Sequence, residues 1–237
     1  MMAAGRYIYC ISELSERTEL EDLGLFDRPV RFISFKELGA FVSDVQPGKI
    51  KPDLQTITTH QNVVEASRRI CPTMPVKFGV VFNTEDGVRE LLSKDYDKYK
   101  SKLASFKDKD EFGVKVLVSI KGHPYSIAPI KKSTNARSAG KGTDYLVKLR
   151  EEESQRSERL KIREKLREKI RQELLEYAEV ETLLNSDLPE ILLNSAYLVK
   201  RSNQEAFKAS VEKIRKRIES GGFLMHCSGP WAPYSFC

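Results

Sequence analysis

The sequence predicts an α+β fold in two domains, and three features support this prediction. Three short aromatic and β-branched runs near the start, at 6–11, 30–35 and 40–45, have the composition of strands. Alternating apolar residues at 112–120 predict a further strand at the start of the second half. Apolar residues at helical spacing predict helices between and after these runs, the longest over about 143–184. We place the two domains at 1–110 and 111–237.

The first domain is predicted to combine a small sheet with helices. The short connection Leu38-Gly39 between the second and third strands indicates an antiparallel hairpin, and Pro47-Gly48 ends the third strand. A helix is predicted from Asp53, as N-cap, to about Ile70, because Pro72 stops it. Its expected core-facing residues are Leu54, Ile57, Val63, Val64 and Ser67.

Two further elements complete the first domain. Residues 75–82 form a mostly apolar run that is too short for a helix, which predicts a buried strand or a bend. A second helix is predicted over 84–106, with an acidic start at Thr84-Glu85-Asp86 that suits a helix N-terminus. Its expected core face comprises Val88, Leu91, Leu92, Tyr96, Tyr99 and Leu103.

The second domain is predicted to begin with the strand at 112–120. Residues 121–142 collect Gly, Pro, Ser, Asn and Lys, a composition typical of a mobile loop. After the long helix come a strand at 194–199, a helix between Asn203 and Gly221-Gly222, and a strand at 223–227. This order is typical of a split βαβ or ferredoxin-like sheet with an extended first crossover helix.

The long helix is rich in Glu, Lys, Arg and Leu, and no Pro or Gly interrupts it. Its expected buried stripe is Ile162, Leu166, Ile170 and Leu174. Two pairs are spaced to form ion pairs: Glu152 with Arg156, and Lys169 with Glu173. No apolar residue occurs from 150 to 159, which argues against a sustained heptad seam and favours a partly projecting, solvated arm or a two-part helix.

Composition limits the class of protein. The 237 residues are 40% hydrophobic and 31% charged, as expected for a globular chain with a well-solvated surface. A net charge of +6 is small against 40 basic and 34 acidic residues, so charge alone names no partner. The four cysteines have no short pairing pattern, and no leader or apolar span of roughly 20 residues is evident. We expect a reduced, cytoplasmic protein without membrane insertion.

No motif predicts catalysis or metal binding. His60, His123 and His226 read as ordinary surface or capping histidines, and only His60, on a helix near the 75–82 run, is kept as a candidate. His226-Cys227 are adjacent on a strand and so point to opposite faces, which does not suit a metal site. Residues 138–143 lack phosphate-loop spacing, and 161–171 alternates in charge without aromatics. We expect no cofactor, no metal and no enzymatic activity.

Residues 229–237 contain the only tryptophan of the chain, together with two prolines and two further aromatics. Proline excludes helix here and restricts the unfolded alternatives, so Trp231, Tyr234 and Phe236 are predicted to dock as anchors. We expect a strap that seals the second domain after the strand at 223–227. The alternative is that this segment contacts a partner.

Four groups of residues, in order along the chain, form a recognisable set. They are Gly-Arg-Tyr-Ile-Tyr at 5–9, His-Gln-Asn-Val-Val-Glu at 60–65 with Pro-Val-Lys-Phe-Gly at 75–79, Phe-Gly-Val-Lys-Val at 112–116, and Ser-Gly-Pro-Trp-Ala-Pro-Tyr-Ser-Phe at 228–236. Together they resemble the gas vesicle protein F/L family, accessory proteins of prokaryotic gas vesicles. The chain departs from the family pattern at 142–146, a partial match, and at Ala232, where the family commonly has proline.

The resemblance implies a two-domain protein, with a ferredoxin-like second domain and a projecting helical element, that helps to assemble the vesicle shell without catalysis. It implies a minor component of the gas vesicle, within the cytoplasm, whose partners are the hydrophobic major shell protein and other gas vesicle accessory proteins. No nucleic acid and no membrane are expected. The candidate structural or interaction residues are Trp231, Tyr234, Phe236, His60 and Phe78. The charged stretch at 150–159 cannot bury an apolar partner, so the sheet faces and the tail are the preferred binding surfaces.

Two other functions stay open at this point. The basic balance and Lys131-Lys132 would suit a nucleic-acid-binding or regulatory module, whose binding should weaken steeply with salt because phosphate contacts release counterions. An unrecognised hydrolase that uses His60 is the third hypothesis.

Overall fold

The computed structural model describes residues 4–13, 20, 23–46, 48, 50–118 and 142–237, with only the backbone for 142–149. The chain forms two compact units. Unit 1 comprises Met1–Glu111 together with Pro230–Cys237, and unit 2 comprises Phe112–Gly229. Residues 121–141 of the predicted loop, including His123, Lys131-Lys132 and the Gly-rich 138–141, lie outside the described residues. Gly142, the last residue of the predicted loop, begins a helix.

Unit 1 is a sheet covered by three helices. Its strands are β1 (Gly5–Glu13), β2 (Arg31–Phe35), β3 (Leu38–Val45), β4 (Thr73–Pro75) and β5 (Val81–Phe82), and its helices are α1 (Leu54–Ile70), α2 (Glu85–Lys94) and α3 (Tyr96–Phe106). The sheet order is β2-β3-β1-β4, with β5 also paired to β1, and the pairs are antiparallel. The predicted α+β class is therefore confirmed for this unit, with β1 at the centre.

The turn between β2 and β3 lies two residues earlier than the predicted connection Leu38-Gly39. Phe35 pairs with Leu38, so the turn residues are Lys36 and Glu37, and Lys36 takes a left-handed φ of 52°. Gly39 lies inside β3, where an added Cβ would come within 2.3 Å of the Phe32 ring. Gly39 is thus required for close packing against an aromatic ring rather than for the turn.

Helix α1 begins as predicted and buries Val63, Val64 and Ser67 of the expected stripe, but not its first two residues. Asp53 is the N-cap: its side chain accepts from the Thr56 backbone N–H at 2.8 Å. The buried residues are Thr56, His60, Val63, Val64 and Ser67. Leu54 is 84% exposed and Ile57 is 39% exposed, so the prediction that these two face the core is wrong. The helix starts with two apolar side chains in solvent.

The single helix predicted over 84–106 is two helices, α2 and α3. The break falls at Asp95, whose φ of −116° and ψ of 29° are not helical. Asp has a weak helix propensity because its side chain competes for nearby backbone groups. Thr84 caps α2 by accepting from Gly87 N–H at 3.1 Å. Of the expected core face, Val88, Leu92 and Leu103 are fully buried.

Unit 2 combines a four-stranded sheet with two helices. Its elements are β6 (Lys109–Val118), which starts in unit 1, α4 (Gly142–Leu175), β7 (Val180–Leu183), β8 (Ile191–Lys200), α5 (Gln204–Glu219) and β9 (Phe223–Trp231). The strand order is β7-β8-β6-β9. The core is built from alternate residues of β6, β8 and β9 and from the inner faces of the helices, including Phe112, Tyr197, Phe207 and Ile214.

Helix α4 is shorter than predicted, and it ends at Leu175 rather than near 184. The residues after it, Val180–Leu183, form strand β7 instead. Ile170 and Leu174 are fully buried as expected, but Ile162 is 40% exposed and Arg163 is buried in its place. The Arg163 guanidinium donates to the carbonyls of Pro189 at 2.7 Å and Ile191 at 3.2 Å. These bonds satisfy a buried cation that periodicity places outside the core.

The two ion pairs expected along α4 are replaced by others. Arg167 pairs with Glu164, Arg171 reaches Glu181 on β7, and Glu173 accepts from Arg217 of α5 at 2.9 Å. Every residue from 150 to 162 is exposed. These thirteen positions of α4 therefore contribute no side chain to the core.

Candidate functional site

The tail, Pro230–Cys237, packs in unit 1, so the prediction of a strap on the second domain is wrong. Ala232 is fully buried in the core cluster of unit 1. Trp231, the last residue of β9, is 45% exposed, which contradicts its expected role as a buried anchor. Adjacent residues on an extended chain point in opposite directions, and here the small side chain takes the inner position. The tail is anchored by Ala232 and Tyr234 rather than by the indole.

Polar side chains of unit 1 hold the two tail residues that follow Tyr234. Glu111, which is 8% exposed, accepts the Ser235 backbone N–H at 2.8 Å and the Ser235 hydroxyl at 2.7 Å. The ammonium of Lys102 donates to the carbonyl of Phe236 at 3.1 Å. Burial raises the pKa of Glu111, and the two bonds from Ser235 oppose that shift. Because a buried carboxylate needs donors, Glu111 fixes where Ser235 sits.

His60 lies at the centre of an aromatic cluster in unit 1, which we call the His60 cluster. Its ring centroid is 5.6 Å from those of Tyr7 and Tyr9, 5.7 Å from Phe78 and 6.3 Å from Tyr234. Three sequence-predicted candidates, His60, Phe78 and Tyr234, thus come together from α1, the segment after β4 and the tail. Trp231 and Phe236 are outside this cluster; Phe236 is half-buried.

The histidine is a core residue, and the reading of it as a surface or capping group is wrong. It is 2% exposed, and its Nδ1 lies 2.8 Å from the Tyr7 hydroxyl, which also accepts from Gly79 N–H at 3.3 Å. Burial lowers the pKa of His60 to about 4, with a smaller opposing effect from the backbone of Val76. His60 is therefore neutral at pH 7.

The His60 cluster and its surroundings offer little to catalysis. His60 forms a hydrogen bond with the hydroxyl of Tyr7. Burial raises the pKa of that Tyr7 hydroxyl far above the neutral range. The nearby hydroxyls of Ser12, Ser67 and Thr73 bond to one another at 2.8–3.2 Å. Burial raises the pKa of the Cys10 thiol to about 12. The three hydroxyls satisfy each other and hold α1 against β1 and β4. The described part of the chain contains no group of three or more metal-ligating side chains.

The second notable surface is the outer edge of β7 and the residues after it, which we call the β7 edge. Val180, Leu183, Leu184 and Leu188 are 46%, 51%, 36% and 61% exposed. β7 pairs with β8 in antiparallel register and is the outermost strand of its sheet. Its inward carboxylate, Glu181, is held by Arg171, Ser195 and Tyr197. An edge strand with apolar side chains and few charges can accept another strand.

Sequence and structure comparisons identify the family. A family profile described as gas vesicle synthesis protein GvpL/GvpF matches residues 5–237. The chain belongs to the GvpL/GvpF family. It is 26% identical to gas vesicle protein F of Streptomyces sp. (strain CB03234), over 97% of this chain and 98% of that protein. It is 24% identical to gas vesicle protein L1 of Halobacterium salinarum, over 98% of this chain and 90% of that protein.

Solved structures of the GvpL/GvpF family share the fold. The crystal structure of GvpF from Anabaena sp. PCC7120 matches with a TM-score of 0.78 at 18% identity, covering 98% of this chain and 95% of that one. GvpF from Microcystis aeruginosa matches with a TM-score of 0.77 at 18% identity, covering 98% of both chains. The mixed helix and sheet architecture is thus the architecture of this family. In the part of the chain described, no helix combines the length and apolar character that a bilayer crossing requires.

Several residues that build these surfaces escape sequence reasoning. Glu111 and Lys102 hold the tail, yet each reads as a surface charge next to an element boundary. Tyr7 and Tyr9 are predicted as strand residues and belong to the group at 5–9, but the sequence does not select either as a site residue. Val180 and Thr182 are β-branched and favour a strand at β7. The charged helical pattern before them continues without Pro or Gly, so the sequence does not show where the helix ends.

Proposed function

We propose that this protein is an accessory and minor structural component of the gas vesicle, within the cytoplasm. It binds the hydrophobic major shell protein and other gas vesicle accessory proteins and assists nucleation and assembly of the shell. Its role is one of binding, without catalysis. Membership of the GvpL/GvpF family supports the vesicle assignment. The hydrolase hypothesis loses support because His60 is buried away from any substrate and its lowered pKa makes it a weak base.

The observation that carries the binding role is the β7 edge. Within nine residues it presents four large apolar side chains that are each at least 36% exposed. Val180 and Leu183 pair with Leu198 and Ser195 of β8, so the other backbone edge of β7 faces away from the sheet. An extended apolar segment of a partner can add there as a further strand, with backbone hydrogen bonds and apolar contacts together. A very hydrophobic shell protein fits that chemistry.

The fold of unit 2 and its charged helix are consistent with a protein that keeps such an apolar partner in solution. We assign unit 2 to the ferredoxin-like class, since β6-α4-β7-β8-α5-β9 with sheet order β7-β8-β6-β9 is the split βαβ arrangement. We further propose that α4 projects from the unit over 150–162, where every side chain is exposed. Its dense charges would keep an apolar complex dispersed.

The nucleic-acid alternative gains little from the described residues. Several arginines are engaged by carboxylates, among them Arg31 with Asp44 and Glu85, and Arg171 with Glu181. Paired arginines contribute less to a phosphate-binding surface, because the carboxylate must be displaced first. We therefore keep shell-protein binding as the proposal.

A capture experiment tests the proposal. The double variant Val180→Lys with Leu183→Lys places charges on the β7 edge, and we expect capture of the major shell protein to fall at least about tenfold, equivalent to about 1.4 kcal/mol. The matched control, Leu54→Lys with Ile57→Lys, adds the same charge on the exposed start of α1 in unit 1. Equal capture by wild type and the β7 double variant would refute the β7 edge as the binding surface.

A further inference from the structure

The tail is joined to the rest of unit 1 by contacts rather than by neighbouring residues in the chain. Unit 1 is built from 1–111 and 230–237, and the residues between these two segments form unit 2. Gly229 is the last residue of unit 2 and Pro230 is the first residue of the tail, so no separate linker lies between them. The tail is therefore bound by the segment 1–111 in the way that a peptide ligand is bound.

The contacts of the tail define what its binding site in unit 1 accepts. Ala232 is fully buried in the core cluster, so a larger side chain would require the packed core to give way. The ring of Tyr234 lies 6.3 Å from that of His60, centroid to centroid. Ser235 donates to Glu111 from its backbone N–H at 2.8 Å and from its hydroxyl at 2.7 Å. The site thus selects a small residue that is followed, two and three positions later, by an aromatic ring and a serine.

The sequence contains one further segment that resembles the tail. Pro-Tyr-Ser occurs at 233–235 and again at 124–126, but in the second case the preceding residue is His123 instead of Ala232. Because Ala232 is fully buried, the larger imidazole does not suit that position. Among the segments of this chain, only 230–237 has the full pattern, so a second source of it is a second copy of the chain.

An empty binding site would be costly for unit 1. Glu111 is 8% exposed and would lose both donors that Ser235 supplies. A buried acceptor without a donor carries the full desolvation penalty of the group. Whenever a tail leaves its site, the same segment from any copy restores these bonds.

We propose that two copies of the chain exchange their tails, so that residues 230–237 of each copy occupy unit 1 of the other. Domain swapping of this kind repeats the contacts of the single chain between two chains, and it is a low-cost route to a dimer. Since the contacts are the same in both forms, protein concentration decides which form is populated. The tail of the same chain competes at an effective concentration on the order of 1 mM, so exchange requires a comparable concentration of protein. The proposal is independent of the proposed binding to shell protein.

Refolding of the full chain at high concentration tests the exchange. After refolding at about 1 mM, we expect size-exclusion chromatography with light scattering to show a dimer that is absent after refolding at about 1 µM. On dilution the dimer should revert slowly to monomer, because each tail must first leave its site. A chain that stays monomeric after refolding at about 1 mM would overturn the proposal.

The variant Ser235→Ala distinguishes tail exchange from a dimer formed by any other surface. It lacks one bond to Glu111 in the single and the exchanged form alike, so the ratio of monomer to dimer should not change. Release of the tail becomes easier, and reversion on dilution should be at least about fivefold faster than in wild type. The control Ser105→Ala removes an exposed hydroxyl outside the tail and should revert at the wild-type rate. Equal rates in Ser235→Ala and wild type would show that the tail does not form the dimer.

A competing peptide provides an independent measurement on the full chain. A peptide of residues 228–237, present in excess during refolding at about 1 mM, should occupy the binding site and suppress the dimer. The matched control peptide carries Ala232→His, which reproduces the His-Pro-Tyr-Ser of 123–126. It should not suppress the dimer, because the imidazole is too large for the position of the buried Ala232. Equal effects of the two peptides would contradict the proposed exchange.

Discussion

The tail packs in unit 1 against the His60 cluster, Glu111 and Lys102, which together we call the seat of the tail. The seat and the β7 edge of unit 2 use apolar residues for opposite purposes. In the seat, Ala232 is fully buried and the segment is fixed by charged and polar partners such as Glu111. At the β7 edge, Leu183 is half exposed, while the carboxylate of Glu181 in the same strand is held by Arg171. Hydrogen bonds to specific side chains of unit 1 show that the tail is part of the folded chain rather than a free segment. An exposed apolar edge without such bonds leaves its partner to be supplied by another molecule.

The largest loss of stability should come from a substitution among the buried rings against which the tail packs. Tyr7→Ala removes a fully buried ring that contacts Tyr9, His60 and Phe78. We expect the free energy of unfolding to fall by about 4 kcal/mol, because the cavity forms inside a packed core. Urea denaturation measures this. Shell-protein capture should be retained under conditions where the variant stays folded; loss of capture by folded protein would break the distinction between the two regions.

A pH-dependent loss of stability should come from His60. Its pKa is about 4 in the folded chain against an ordinary value of 6.5, so the unfolded chain takes up the proton first as pH falls. Stability from this group is present above pH 6.5 and decreases by about 3 kcal/mol as pH falls to 4. Denaturation of wild type and His60→Phe across this range isolates the effect as a difference. Parallel pH profiles would mean that His60 is not buried in neutral form.

A smaller effect should come from the polar ties of the tail. Ser235→Ala removes the hydroxyl that donates to Glu111 at 2.7 Å, and we expect a loss of about 1–2 kcal/mol because the acceptor is a buried carboxyl group. The control is Ser105→Ala, whose hydroxyl donates to a backbone carbonyl at an exposed position. Thermal or urea denaturation compares the two. A Ser235→Ala effect no larger than the control would mean that Glu111 does not hold the tail.

The smallest change in stability should come from the β7 edge. Leu183→Ala shortens a side chain that is 51% exposed, so we expect a change within about 0.5 kcal/mol. The same variant should weaken shell-protein capture. If Leu183→Ala destabilised the chain as much as Tyr7→Ala, the β7 edge would be part of a core rather than a free surface.

Local patterns predicted much of the fold. The Asp53 cap is found where the residues indicate it. The hairpin is antiparallel as predicted but turns earlier, and the strand predicted at 112–120 is found at Lys109–Val118. The failures arise where distant contacts decide. Arg163 enters the core because the carbonyls of Pro189 and Ile191 receive it, and Leu54 stays outside although its spacing is that of a core residue. Propensity and period carry no information on such partners.

The candidate site was predicted only in its parts. His60, Phe78 and Tyr234 were selected separately, but their meeting depends on the tail packing in unit 1, which no pattern within 229–237 encodes. Aromatic content predicted docking correctly for Tyr234 and wrongly for Trp231. Which of two neighbouring residues is inside depends on the backbone direction, and that is set by the strand before the tail.

The placement of Pro230–Cys237 in unit 1 has a consequence for how the chain acquires its structure during synthesis. Tyr234 meets His60 across 174 positions, and Ser235 meets Glu111 across 124. Domains generally fold from the N-terminus as the ribosome releases them. Here unit 1 emerges first, yet it lacks part of its core until unit 2 has been made and residues 230–237 are free. The first unit to be translated is therefore the last to be finished.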